Sequence, residues 1–269
     1  MIALKITKDG EQTAEIDAVF ESLQWVLDNR EEYNIAAVNI SFGAGNVPKG
    51  TALEGLDSLY EQLHEEGVFI SVAAGNDYSA NDGDPGLNIL AASNYAAAVG
   101  AVWDSNAGPQ SFSNGVTENS TGEDRIAAFS QRDPDLDLFA PGGDILGLGL
   151  NGGLVVRDGT SLSAPIVAAS AVLLREAADE MGLDLAPDQI LEVLRRSASI
   201  IVDGDDEDNN VSATGLEYSR LDIDAAIAEL GSLDFTPMSH RFAETDIVDS
   251  IEDLEISTQE EILQGTDSA

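Results

Sequence analysis

Hydrophobic positions along this chain follow two spacings, and the way they alternate predicts the fold. Ala36-Ala37-Val38-Asn39-Ile40 and Val68-Phe69-Ile70-Ser71-Val72-Ala73 are nearly continuous apolar runs, as expected of strands covered on both faces. Between and before them the spacing becomes helical. Ile16, Val19, Phe20, Leu23, Val26 and Leu27 share one face of a helix preceded by Thr13, and Leu53, Leu56, Leu59, Tyr60 and Leu63 share one face of a second helix over residues 51–66, closed by Gly67. Residues 2–6 read as an opening strand, and residues 91–102 supply another strand built from small side chains. Strand, helix and strand in repetition predict an α/β fold of three layers: a mostly parallel sheet with helices on both faces and right-handed crossovers. In such sheets functional loops lie outside the carboxyl ends of the strands. The turn at residues 41–45 and Asn76 both fall at such ends.

Further along, residues 77–85 form a polar loop, residues 104–124 read as a polar insertion, and residues 144–156 as a glycine-relieved hairpin. The hairpin leads to a tight turn at Gly159-Thr160 and a long, alanine-rich helix whose inward residues are expected to be Val167, Ala168, Val172 and Leu173. Ser161 therefore stands at a helix N-terminus, where unpaired N–H groups and the positive end of the dipole favour an anion or a developing oxyanion. Pro165 is expected in the first turn, where a missing N–H costs nothing. Taken alone, Ser161 reads equally as an N-cap and Asn76 as a residue used for turn geometry. Pro187 opens another helix, and residues 221–230 a last short one. The pattern predicts one domain over residues 1–230 and an acidic tail over residues 231–269 with weak periodicity.

Charge changes the picture of the surroundings rather than of the fold. Fifty Asp and Glu stand against twelve Lys and Arg among 269 residues, a formal net charge of -38. That balance excludes binding to nucleic acid or anionic lipid through a basic surface. It fits a protein adapted to a very salty medium, where screening removes much of the self-repulsion, with an ordinary acidic secreted protein as the alternative. There is no cysteine, hence no disulfide or thiol chemistry. The first residues are too short and too quickly polar for a signal peptide, and no apolar run reaches the roughly 20 residues of a membrane span. Residues 203–210, Asp-Gly-Asp-Asp-Glu-Asp-Asn-Asn, offer oxygen ligands for a structural calcium ion but lack the ordered spacing of an EF-hand loop, so a solvated loop is the preferred reading. No other cofactor is implied.

Three segments carry a resemblance. Gly159-Thr160-Ser161-Leu162-Ser163-Ala164-Pro165 resembles the nucleophile segment of the subtilisin-like serine peptidases, Gly-Thr-Ser-Met-(Ala/Ser)-(Ser/Ala)-Pro. Phe69-Ile70-Ser71-Val72-Ala73-Ala74-Gly75-Asn76 resembles the strand and turn that end in that family's oxyanion-hole asparagine, and Ala37-Val38-Asn39-Ile40-Ser41-Phe42-Gly43-Ala44 resembles a strand and turn forming one pocket wall. They occur in family order, and the likeness extends from residue 2 to about residue 230, weakening at its end, where Glu217 and Ser219 stand in place of glycines. The resemblance implies a serine endopeptidase acting on a polypeptide, extracellular by analogy. It implies Ser161 as nucleophile, Asn76 as oxyanion donor beside the Ser161 N–H, and Ser41, Phe42, Gly43, Ala73, Ala74 and Gly75 as walls of the pocket for the residue before the scissile bond.

The same resemblance exposes an absence. A serine nucleophile needs a neighbouring base; in this family it is a histidine from a His-Gly-Thr segment, oriented by an aspartate from an Asp-(Ser/Thr)-Gly segment, both upstream of the stretch matched here. The chain has only His64 and His240. His64 lies on a charged helix face leading into the strand whose far end carries Asn76, and His240 lies in the tail. The chain thus resembles the C-terminal two-thirds of a subtilisin-like catalytic domain, N-terminally truncated. Three readings stand: a fragment of an active peptidase, a pseudopeptidase serving as a peptide-binding or regulatory module, or one chain of a split enzyme whose partner chain supplies the Asp and His segments. The missing aspartate strand is expected between residues 36–40 and 68–73, leaving there either an unfamiliar register or a gap whose bare ladder groups invite association.

Overall fold

A computed structural model describes residues 1–7, 16–112, 115–149 and 152–231; Thr13, His240 and the rest of the expected tail lie outside the described residues. In chain order the elements are α1 (Ile16–Tyr33), β1 (Ala37–Ile40), α2 (Leu56–Glu65), β2 (Phe69–Ala73), β3 (Ala97–Trp103), β4 (Gln110–Ser111), β5 (Thr117–Ser120) and β6 (Leu138–Gly143). They continue with β7 (Ile145–Leu148), β8 (Leu154–Arg157), α3 (Thr160–Glu180), α4 (Pro187–Arg196), β9 (Ser199–Val202), β10 (Asp208–Asn209), β11 (Glu217–Arg220) and α5 (Ile223–Leu230).

Six strands form the central sheet in the order β1-β2-β3-β6-β11-β9, parallel throughout except for the antiparallel pair β11·β9, and helices cover both faces. The expected three-layer architecture is therefore present. Every residue of β2 and β3 is buried, which is why those strands read as unbroken small and apolar runs. The expected gap between residues 36–40 and 68–73 does not exist: β1 pairs directly with β2, from Ala37 opposite Phe69 to Ile40 opposite Val72. Among the described residues the other side of β1, one edge strand of the sheet, pairs with no strand, and there Val38 is half-buried and Asn39 exposed. Residues 2–6 form no strand, and Leu4, Ile6 and Thr7 line the far wall of an apolar groove along that edge.

Other departures have local causes. α2 begins at Leu56 because Gly55, at φ 83°, turns the chain immediately before it. The third strand begins only at Ala97, after turns through residues 90–96. The polar stretch 104–124 is not a bare insertion: β4 and β5 pair with β10 in an antiparallel three-stranded sheet. β7 and β8 make the expected hairpin. In α3 the inward stripe is Ala164, Val167, Ala168, Ala171, Leu174 and Ala178, while Val172 and Leu173 are 40% and 51% exposed. The small residues face inward because α3 lies close against β1, β2, β3 and β6. Contrary to expectation α3 has, among the described residues, the length and apolar composition of a membrane span, yet here it packs on the sheet.

Two buried ion pairs tie loops to this frame. Lys49, at the end of the turn after β1, reaches Asp137 at 2.7 Å and the carbonyl of Ala96 at 2.6 Å. Arg132 pairs with Asp203 in full burial, its guanidinium 4.2 Å above the Tyr78 ring. The start of the acidic run 203–210 is thus core rather than solvated loop. Its later carboxylates are also held by protein donors: Asp206 by Arg125, Glu207 by the N–H groups of Gly204 and Ile126, and Asp208 by Asn119.

Candidate active site

The site begins with a backbone requirement. Gly159 takes φ 147° and ψ 151°, a region that L side chains rarely adopt, and donates its N–H to the Gly142 carbonyl at 2.8 Å. That turn sets the first residue of α3, Thr160, beneath Asn76. The Asn76 Oδ1 accepts both the Thr160 N–H and the Thr160 hydroxyl, each at 2.9 Å, and the Thr160 Oγ1 accepts the Gly75 N–H at 3.2 Å. Asn76 is exposed, with its oxygen committed and its Nδ2 without a partner among the described residues, on the side of Gly159.

Ser161 follows at the second position of α3, partly exposed. Its own N–H has no partner among the described residues, as the open end of a helix dictates. Its hydroxyl makes one long contact, 3.4 Å to the Ser41 carbonyl. Pro165 stands deeper than expected, at the sixth helical position rather than in the first turn. Lacking an N–H, it leaves the Ser161 carbonyl unbonded within the helix, and the Ser41 hydroxyl donates to that carbonyl at 2.7 Å. The Asn39 side chain in turn donates to the Ser41 Oγ at 3.0 Å. Ser41, Asn76 and Ser161, far apart in sequence, are thereby brought to one point at the carboxyl ends of β1 and β2.

The segments that carry the expected pocket walls, residues 41–43 and 73–75, are held by residues 87–89, which bond at or beside both. Leu87 exchanges backbone bonds with Val47, Ile89 donates to the Ala44 carbonyl at 2.9 Å, and Asn88 donates to the Ala74 carbonyl at 2.7 Å. The Asn88 carboxamide, buried, also binds the Ala73 carbonyl and accepts from Leu90 and Ala91. Gln131 completes the tie: its N–H bonds the Gly75 carbonyl at 2.8 Å and its side chain the Gly45 carbonyl at 3.1 Å. A Cβ on Gly43 would lie 2.1 Å from Asn88, and one on Gly75 1.9 Å from Gln131, so both walls need glycine where they meet these amides. Phe42 turns away and packs on the core beside the β1 groove. Asn88, Gln131 and Thr160 are the residues of this arrangement that sequence reasoning did not single out.

No histidine of the described residues approaches Ser161. The His64 Nε2 meets the Asp188 carboxylate at 2.7 Å in a cleft shared with Phe69, at the amino end of β2. β2 alone, at about 3.3 Å per residue, puts roughly 13 Å between that end and the site. The buried carboxyl tuned toward neutrality is Glu118 of β5, pushed up to about 7 by burial. The Ala128 N–H and, more weakly, the nearby Trp103 indole and Arg132 oppose that rise, and Asp158 adds to it. Glu118 is bonded to Ala128 rather than to Ser161. Among the described residues no group of three or more His, Asp or Glu is disposed to hold a metal ion.

A helix N-terminus that presents a serine, beside an asparagine anchored by its oxygen, on a mostly parallel α/β sheet, keeps open the resemblance to the subtilisin-like peptidases drawn from the sequence. The family model for peptidase S8, the subtilase family, matches residues 1–223, and the chain belongs to that family. It is similar to subtilisin-like protease 1 of Arthroderma gypseum, 30% identical over 178 residues, covering 65% of this chain and 31% of that protein. A subtilisin-like protease of Coccidioides posadasii is 27% identical over 196 residues, 72% of this chain and 42% of that protein. The chain thus spans between 31% and 42% of the length of the curated relatives it matches. Among solved structures, the prenylagaramide maturation protease PagA aligns with TM-score 0.63 and 26% identity over 84% of this chain and 71% of its own. The patellamide maturation protease PatA aligns with TM-score 0.63 and 25% identity over 84% and 73%.

Proposed function

We propose that this chain is the nucleophile-bearing part of a subtilisin-like serine endopeptidase, in which Ser161 attacks a peptide carbonyl while the Asn76 carboxamide and the Ser161 N–H receive the oxyanion. The observation that carries the reading is the lock of the Asn76 oxygen onto Thr160, which leaves a donor and not an acceptor free beside the Ser161 helix terminus. A polypeptide substrate fits the similarity to two solved maturation proteases, PagA and PatA. His64, the histidine of the described residues, is held by Asp188 away from Ser161, so among the described residues the Ser161 hydroxyl stays an ordinary weak nucleophile. In this reading the base and its orienting carboxylate come from a polypeptide that carries the Asp and His segments.

The test is Ser161 labelling by a fluorophosphonate, alongside casein cleavage, in molar salt. The chain alone should do neither, and oxyanion donors without the other members support only about 10³- to 10⁴-fold over water, the figure quoted for subtilisin itself. Adding a polypeptide that carries Asp-Ser-Gly and His-Gly-Thr segments should produce labelling that disappears in Ser161→Ala. Rapid labelling of the lone chain, lost in His64→Ala or His240→Ala, would refute the reading. Peptide binding that never becomes labelling with any such partner would favour the pseudopeptidase alternative.

A further inference from the structure

The cleft between the two wall segments is crossed by two carboxamides. Asn88 leans on the Cα of Gly43 in the first wall, leaving no room for a Cβ there, and its Nδ2 donates to the Ala73 carbonyl in the second. Gln131 spans the cleft in the opposite sense. It lies as closely on Gly75 in the second wall, and its Nε2 donates to the Gly45 carbonyl at 3.1 Å and to the Asn46 side chain at 2.9 Å, just beyond the first. Asn88 is 2% exposed and Gln131 1%, so these amides belong to the packed interior, where few voids remain. The Asn88 Oδ1 accepts the N–H groups of Leu90 at 2.8 Å and Ala91 at 3.3 Å, so the side chain cannot swing aside without orphaning two buried donors. Gln131 is pinned at its backbone as well, by the bond from its N–H to the Gly75 carbonyl at 2.8 Å.

We propose that these amides are the floor of a shallow pocket, and that the substrates of this chain are polypeptides with glycine, alanine or serine immediately before the scissile bond. What the walls hold rests on the proposed function; the limit on size rests on the two amides alone. A leucine or aromatic side chain entering between Gly43 and Gly75 would have to displace Asn88 or Gln131, and overpacking of that kind is costly where the neighbours are tied. A methyl or hydroxymethyl group stops short of them. Charge predicts a different order. A net charge of -38 attracts lysine and arginine in any substrate, yet residues 41–43, residues 73–75, Asn88 and Gln131 are all uncharged, so this lining offers a cation no partner of opposite sign. Alanine ahead of lysine is thus the order that separates a size filter from the pull of the whole molecule's field.

The probes are acetyl-Ala-Ala-Pro-Xaa-amide peptides with Gly, Ala, Ser, Leu, Phe or Lys as the last residue, titrated into the full ¹⁵N-labelled chain in molar KCl. Saturable shifts are expected at residues 41–45 and 73–76 and at the Asn88 side-chain amide, with Gly, Ala and Ser bound and Leu, Phe and Lys weaker by about tenfold or more. Asn88→Gly should raise the affinity for the Leu peptide about tenfold and leave that for the Gly peptide little changed. The parent series keeps the test decisive if that variant fails to fold. Leu, Phe or Lys bound as tightly as Ala, a folded Asn88→Gly protein with the parent's preference, or no peptide bound at millimolar concentration would overturn the proposal. Ser161 labelling in the presence of the Asp- and His-bearing polypeptide is followed separately. Small-residue preference without labelling counts against the proposed function alone, and labelling with a preference for large residues against this inference alone.

Discussion

Replacing Glu118 by Gln should stabilise the protein, and by an amount that grows with pH. The carboxyl is 3% exposed and its folded value is about 7, against an ordinary 4.5. A carboxyl raised on folding holds its proton more tightly in the native state, so the folded form is favoured at low pH and penalised once the group must ionise. The full penalty above both values is roughly 3 kcal/mol at about 1.4 kcal/mol for each pH unit between them. It is partly present at pH 5 and nearly complete at pH 8, a change of roughly 2 to 3 kcal/mol across that window. Gln keeps the oxygen that accepts from Ala128 and removes the charge. Urea unfolding of both proteins in molar salt at pH 5 and pH 8 should therefore show the variant gaining roughly 2 to 3 kcal/mol more at the higher pH. A difference between variant and parent that stays constant with pH, or falls as pH rises, would refute the burial argument.

Gly75→Ala should cost at least about 1 to 3 kcal/mol in the same unfolding assay, because φ 116° is hostile to a side chain and the new methyl meets Gln131; a change within about 0.5 kcal/mol would show that the wall can yield. Asp188 is held below the usual carboxylate range by its bond from His64, against opposition from burial. Its contribution is whole above the ordinary aspartate range and lost as pH falls through the lowered folded value, so Asp188→Asn should flatten the acid limb of stability slightly. The effect is small because the side chain is 75% exposed, and an acid limb identical in parent and variant would dismiss it.

How much was legible follows from where the signal lies. β2 and β3 read directly from sequence because burial on both faces leaves few polar residues to confuse the pattern. α3 was legible as a helix and half misjudged in its facing: Val167 and Ala168 are inward as expected, Val172 and Leu173 are not. Reading by bulk chooses Val172 and Leu173 as inward, but a helix close against a sheet turns its alanines in and its large residues out. β4, β5 and β10 are two to four residues long and polar, and β10 joins β5 from some ninety positions away, so no local periodicity marks them. Ser161, Asn76 and the two wall turns were found as motifs. Their supports, Thr160, Asn88 and Gln131, act through buried amide and hydroxyl bonds that depend on the assembled fold. The mistaken place of the gap has the same origin: Asn39 is the single polar residue in the first run, and one exposed position does not tell which side of a strand is bare.

The paired bonds from Thr160 to one oxygen also make the Asn76 amide a rotor with its detent engaged. Half a turn about the last side-chain bond exchanges nitrogen for oxygen at almost no steric cost, so shape alone leaves the outward sign of that group undecided. Two donors on one residue decide it, since a reversed amide would set its NH₂ against another N–H and a hydroxyl already committed to Gly75. The residue before Ser161 is thus the one that fixes the polarity of the surface the serine faces. A side chain of the same outline without the hydroxyl, such as valine, would remove half of that constraint while leaving every neighbouring atom where it stands.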